Sequence, residues 1–253
     1  MGRKLLRFFG MAAWGGDELL IAFIACGSSA FALYYWVHPA LALLPLVPLA
    51  IVVQFFRDPE RKGSDDPSLL LSPADGTVSD IVELDETAFL GARAVRIGIF
   101  LSPFNVHVNR APCSGRVEYV KFAAGEFLPA YNPEAPTRNE SCSMGLVAPN
   151  GLRLIVKQIT GVLARRIVCE SRSGEQLERG ARYGMIKFGS RTELYVPVDA
   201  VDSVLVKVGD KVRGGVTELC RTKPVPAATP LGAEKMAEAQ VLLNQLANAE
   251  VRN

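Results

Sequence analysis

Ala94-Val95-Arg96-Ile97-Gly98-Ile99-Phe100-Leu101 decides the fold class of this chain. Val95, Ile97, Ile99 and Leu101 alternate with Arg96, Gly98 and Phe100, the period-two pattern of a strand that buries one face. Similar runs recur at Gly76 to Val82, Gly115 to Phe122, Leu152 to Ile159, Ala164 to Cys169, Tyr183 to Phe188, Glu193 to Val196 and Ser203 to Val208. Gly, Pro, Asn and Asp punctuate them, as expected of short strands joined by turns. Helical periodicity is nearly absent from this region until Gly232 to Val251, where Met236, Leu242, Leu243 and Leu246 form a weak apolar stripe. The segment from Ala123 to Cys142, rich in Pro, Asn and Glu, reads as a working loop or lid.

Ahead of the strands lies a different composition. From Leu19 to Phe56 there is no Asp, Glu, Lys or Arg, and crossing a bilayer core takes roughly 20 helical residues. The break at Val37-His38-Pro39 divides the run into one span from Leu19 to Val37 and a second from Pro39 to Phe56. Tyr34-Tyr35-Trp36 suits an interfacial turn, while Arg3, Lys4 and Arg7 before and Arg57, Arg61 and Lys62 after place both outer ends on the cytoplasmic side of a cell inner membrane. Two other readings stay open. Ala30-Phe31-Ala32 offers a signal-peptide site, although the apolar run continues past it, and Pro45 and Pro48 allow a re-entrant pair in place of two full spans.

The expected architecture is therefore mainly β, a β-rich α+β fold. It comprises an N-terminal apolar helical hairpin over residues 1–57, a barrel-like sandwich over 58–228 and a helical or disordered tail over 229–253. Alternation around Gly209-Asp210, from Val206 to Gly215, resembles the swapped turn of lipoyl and biotinyl carrier domains and supports the small barrel. A net charge of +2 leaves no basic stripe for nucleic acid. Five scattered cysteines, none in a CxxC or His-flanked pair, argue against a disulfide framework and a zinc site and fit a reducing compartment, so no metal is expected.

Three stretches carry candidate chemistry: Ser72-Pro73-Ala74-Asp75-Gly76, Ser102-Pro103-Phe104-Asn105-Val106-His107-Val108-Asn109-Arg110 and Phe188-Gly189-Ser190. Each alone has an ordinary reading as a turn, a hairpin corner or a strand histidine. Together they supply the parts of an activated nucleophile, because His107 is the only imidazole beyond the hairpin. A glycine before a serine also lets the backbone bring the hydroxyl to the preceding carbonyl, which favours attack on the chain itself.

These stretches, with Gln158-Ile159-Thr160-Gly161-Val162-Leu163-Ala164-Arg165-Arg166-Ile167-Val168 and Arg182-Tyr183-Gly184-Met185-Ile186-Lys187-Phe188-Gly189-Ser190-Arg191, resemble the short bacterial phosphatidylserine decarboxylases in order and spacing. The resemblance implies a membrane-bound proenzyme cut between Gly189 and Ser190, giving a β chain 1–189 and an α chain 190–253, with Ser190 converted to a covalent pyruvoyl group. It implies that His107 is the base, oriented by Asp75, and that the pyruvoyl forms a Schiff base with phosphatidylserine, releasing CO2 and phosphatidylethanolamine. His107 is also the candidate proton donor to the carbon left behind. Arg165 and Arg166 are candidates for the headgroup's phosphate or carboxylate, with Asn139 and Glu140 as weaker ones. Longer members carry a second histidine where Arg110 stands, and Gly-Ser-Thr where this chain has Gly189-Ser190-Arg191. A homo-oligomer is left open. The alternatives are a pyruvoyl decarboxylase of another aminoacyl lipid and a non-catalytic, membrane-anchored, lipoyl-like binding domain.

Overall fold

The structure, a computed structural model, describes residues 3–130, 132–162, 166–187 and 190–223. The expected tail stripe from 232 to 251 lies outside them. Fourteen strands follow the helical start. They are β1 (Leu69–Leu71), β2 (Gly76–Glu86), β3 (Ala92–Leu101), β4 (Val108–Arg110), β5 (Gly115–Ala123), β6 (Ser141–Val147), β7 (Arg153–Ile159), β8 (Arg166–Cys169), β9 (Gln176–Leu177), β10 (Arg182–Lys187), β11 (Ser190–Pro197), β12 (Val201–Val204), β13 (Lys211–Val212) and β14 (Glu218–Thr222).

Eight of them make one antiparallel sheet in the order β13-β2-β3-β11-β7-β6-β5-β9, curled into a half-barrel. β3, with its clean alternation, sits near the middle. Ile97, Ile99 and Leu101 are fully buried and join Val117, Met144, Leu146, Leu154, Val156, Leu194 and Val196 in the main core. Burying each large apolar side chain of this kind is worth roughly 1.5–3 kcal/mol, which fixes the register, because a one-residue slip would turn the whole set outward. Two three-stranded antiparallel sheets complete the fold, β4-β10-β8 and β1-β14-β12. Gly184 lets β10 and β8 approach closely, since a Cβ there would stand 2.1 Å from the Val168 carbonyl oxygen.

Two local expectations change. The Gly209-Asp210 turn forms, with Asp210 accepting from the Lys207 N–H at 3.0 Å, but its flanks do not pair with each other. β12 joins β14 while β13 joins β2, so the turn carries the chain from one sheet to another. In the long loop, a short helix α4 (Ala135–Arg138) and a bridge between Glu126 and Asn139 supply backbone partners.

The start of the chain is built from α1 (Arg3–Phe8), α2 (Gly16–Trp36), a 3-10 turn (Pro39–Leu43) and α3 (Leu46–Phe55). α2 is long and apolar enough to cross a membrane by length and composition, and only 6% of its apolar window is buried, unlike a core helix. The second arm differs from the expected span. Pro39 opens a 3-10 turn capped by His38, whose Nδ1 accepts from the Ala40 N–H at 3.2 Å, and Pro45 caps a separate ten-residue helix. At 1.5 Å per residue α3 covers about 15 Å, half a bilayer core. The two arms meet at a neck, where the Ala12 N–H donates to the Phe56 carbonyl and the Asp58 N–H to the Gly10 carbonyl, each at 2.6 Å. Below it, Leu6, Leu19, Phe55 and Phe56 pack on Val106, Val108 and Met185. The hairpin's foot therefore rests on the strands that frame the candidate site.

Candidate active site

Ser190 begins β11, a central strand buried on both faces and paired with β3 and β7. Side chains alternate along it. Leu194 and Val196 enter the main core, and Ser190 and Thr192 share their face. Arg191, Glu193 and Tyr195 share the other, where Arg191 pairs with Asp80 at 2.6 Å and Glu193 at 2.7 Å, and the Tyr195 hydroxyl donates to Glu193 at 2.6 Å. The arginine that replaces threonine after the serine thus points away from the serine's face. Ser190 is completely buried, and its Oγ has no hydrogen-bond partner among the described residues. Gly189 lies outside the described residues.

His107 stands just before β4, fully buried. Its carbonyl accepts from the Ile186 N–H of β10 at 3.3 Å, and Val108 pairs with Met185. Nδ1 lies 2.9 Å from the Asn105 carbonyl oxygen, and the Phe55 ring lies against the imidazole with centroids 4.2 Å apart. Burial pushes its pKa down to about 4, the nearby Arg57 charge adds to that, and the Asn105 carbonyl and Asp75 act against it. The ring is neutral at pH 7. Two residues on, the Asn109 amide reaches across to the Thr192 hydroxyl at 3.1 Å, and Gln158 of β7 donates to Asn109 Oδ1 at 2.9 Å. This buried link brings the chain that carries His107 against the strand that starts with Ser190.

Asp75 is placed differently from the expectation that it holds His107. Its carboxylate is gripped by both arms of Arg61, one bond measuring 2.8 Å, and accepts the Gly214 N–H at 2.8 Å. It reaches His107 through its charge. Arg110, at the second-histidine position, is buried and bonds the Asp58 carboxylate at 2.7 Å, the Pro59 carbonyl at 3.0 Å and the Gly180 carbonyl at 3.2 Å. It locks the hairpin's exit to β4.

Among the headgroup candidates, Arg165 lies outside the described residues. Arg166 is exposed on β8, with Lys187 as its β10 pairing partner. Asn139 is buried in the long loop, its amide engaged by the Leu128 backbone at 2.8 and 2.9 Å and the Thr160 carbonyl at 2.8 Å, so it braces the loop. Glu140 is half-buried beside it, its backbone bonded to Glu126 and Thr160.

Sequence reading missed Phe55, Arg57 and Arg61. The first looked like one more residue of an apolar run, and the two arginines looked like membrane flanks. Instead, Arg57 bonds the Gln54 carbonyl at 2.6 Å and the Phe104 carbonyl at 2.7 Å, setting positive charge near His107. Asn109 and Gln158 did lie inside stretches singled out for their motifs.

Residues 49–219 match the family model described as phosphatidylserine decarboxylase. Among similar proteins is the phosphatidylserine decarboxylase proenzyme of Carboxydothermus hydrogenoformans, 48% identical over 183 residues, covering 72% of this chain and 85% of that one. Proteins of the same name from Symbiobacterium thermophilum and Salinibacter ruber are 44% and 43% identical, covering 74% and 81% of this chain and 86% and 88% of theirs.

Proposed function

The chain belongs to the phosphatidylserine decarboxylase family, and on that premise we propose that it is a self-cleaving proenzyme that converts phosphatidylserine to phosphatidylethanolamine and CO2 at a membrane. The observation that carries this reading is the fully buried hydroxyl of Ser190, without a hydrogen-bond partner among the described residues, at the head of the central strand. A buried hydroxyl with no bond costs stability, roughly 1–3 kcal/mol, and this one directly follows the peptide bond it is proposed to attack.

Self-cleavage uses the chain's own groups. His107, neutral at pH 7, takes the Ser190 proton as Oγ adds to the Gly189 carbonyl carbon. The Gly189–Ser190 C–N bond breaks, the released amine takes the proton, and an ester remains. Loss of the Ser190 Cα proton then breaks the Cβ–O bond, freeing the Gly189 carboxylate. The dehydroalanine left at position 190 takes up water and loses ammonia, leaving a pyruvoyl group. In the matured protein that group would supply a carbonyl to take up the substrate's amine with loss of water, act as a sink for the electron pair left as CO2 departs, and be regenerated when water frees the product amine. The surroundings of Ser190 suit it, being enclosed by β3, β7 and the Asn109–Thr192 link and free of a competing side-chain bond. The substrate's ammonium gives up its proton to water before it joins the carbonyl, and His107, protonated only transiently, is positioned to return a proton to the carbon that lost its carboxylate. With its depressed pKa it holds that proton briefly, so uptake and delivery are closely coupled.

Arg166, exposed on β8, and Arg165 are proposed to meet the headgroup's anionic oxygens. α2 anchors the chain, with the catalytic part on the cytoplasmic face as the flanking charges indicate. The test is Ser190→Ala. Denaturing electrophoresis of the purified parent should give two fragments and the variant one, with no CO2 released from phosphatidylserine by the variant. Decarboxylation by an uncut Ser190→Ala chain would refute the reading.

A further inference from the structure

We infer that the foot of the apolar hairpin is part of the self-cleavage machinery as well as an anchor, with Glu18 and Lys187 acting as a pair of positioning residues for the bond between 189 and 190. This rests on the processing reading above. β10 ends at Lys187, two residues before Gly189. Its ammonium is almost wholly buried and is held by Glu18 in the first turn of α2, the two charges forming a close ion pair. The Phe56 ring lies 5.8 Å from that ammonium, and Met185, two residues back on the same face, packs with Leu19, Phe55 and Phe56. The same foot lays Phe55 on His107. One small cluster therefore touches both the strand that delivers the cleaved bond and the base that acts on it.

The physical reason lies in the two demands at this point. A buried ammonium without a partner is costly, so losing Glu18 would drive Lys187 toward water and pull the end of β10 with it. Attack by Ser190 on Gly189, in turn, needs the reacting atoms held in near-contact, where a displacement of about 1 Å can cost a hundredfold. Glu18 suits the role because it stands in the first turn of a helix, where the N-terminal backbone dipoles favour a carboxylate.

The test follows fragment appearance by denaturing electrophoresis in the full-length chain, expressed and held in detergent micelles. Glu18→Gln and Lys187→Met should each slow cleavage by roughly ten- to a hundredfold. Combined, they should be no slower than the slower single variant, as expected of two groups that act through one contact. Turnover of phosphatidylserine per pyruvoyl group in the matured fraction of Glu18→Gln should stay within about twofold of the parent, since the clamp serves the cut and not the later chemistry. Cleavage of Glu18→Gln at the parental rate would overturn the inference. So would slowing in the double variant equal to the product of the two singles, or a parallel fall in cleavage and per-site turnover with a lowered melting temperature. A parent chain that stays uncut would instead remove the processing reading itself.

Discussion

His107 concentrates the account at the scale of one residue. Its sequence setting named it as the candidate base, but the ring is fully buried, and one of the groups laid against it is Phe55, more than fifty positions away in a run that reads only as apolar. The folded pKa of about 4 lies below the ordinary 6.5, so as pH falls the unfolded chain binds the proton first. The stability contributed by keeping this ring neutral is complete above about pH 6.5 and drains away as pH falls toward about 4. Self-cleavage, which uses the neutral ring, should be flat through neutrality and lose rate on the acid side with a midpoint near 4, measured in brief incubations of freshly made precursor. A midpoint at 6.5 would mean that the imidazole is not enclosed. Ser190 was singled out from its Gly-Ser setting, and the structure adds that it is fully buried at the head of the central strand. The pairing of Asp75 was not legible, because nothing in the spacing of residues 61, 75 and 214 predicts that one guanidinium and one backbone N–H meet one carboxylate.

Elements repeat that division. Strand runs with clean alternation, β3 above all, were readable because one buried face imposes period two. β6 was missed: Ser141-Cys142-Ser143-Met144-Gly145-Leu146-Val147 mixes small and polar residues, and its burial depends on β5 and β7 on either side. The hairpin was readable as apolar, but its foot was not, since Glu18, Phe55, Arg57 and Arg61 make their contacts with β10, the loop before β4 and the loop before β2. Arg61 makes this concrete. Its pair with Asp75 is nine-tenths buried on both sides, so Arg61→Met, which leaves the carboxylate without its cation, should destabilise the fold by about 3–5 kcal/mol, read from the urea midpoint. A loss under about 1 kcal/mol would put the pair in the class of exposed bridges and weaken the case that the hairpin's exit is fixed to the site.

For the whole molecule, the half-barrel sets the strand that begins with Ser190 in its centre, and the foot of the hairpin packs against β4 and β10 beside it. The proposed cleavage would leave the hairpin, His107 and Asp75 on one fragment and the new pyruvoyl on the other, so the finished site would belong to both. The pairing of β11 with β3 and β7 would hold the two fragments together without a disulfide. The most direct measurement is the intact mass of the purified protein under denaturing conditions. The account predicts a fragment 1–189 ending in a free carboxylate and a fragment 190–253 with a blocked start, lighter by one ammonia than the same fragment beginning with serine. A single species of full-length mass would contradict it.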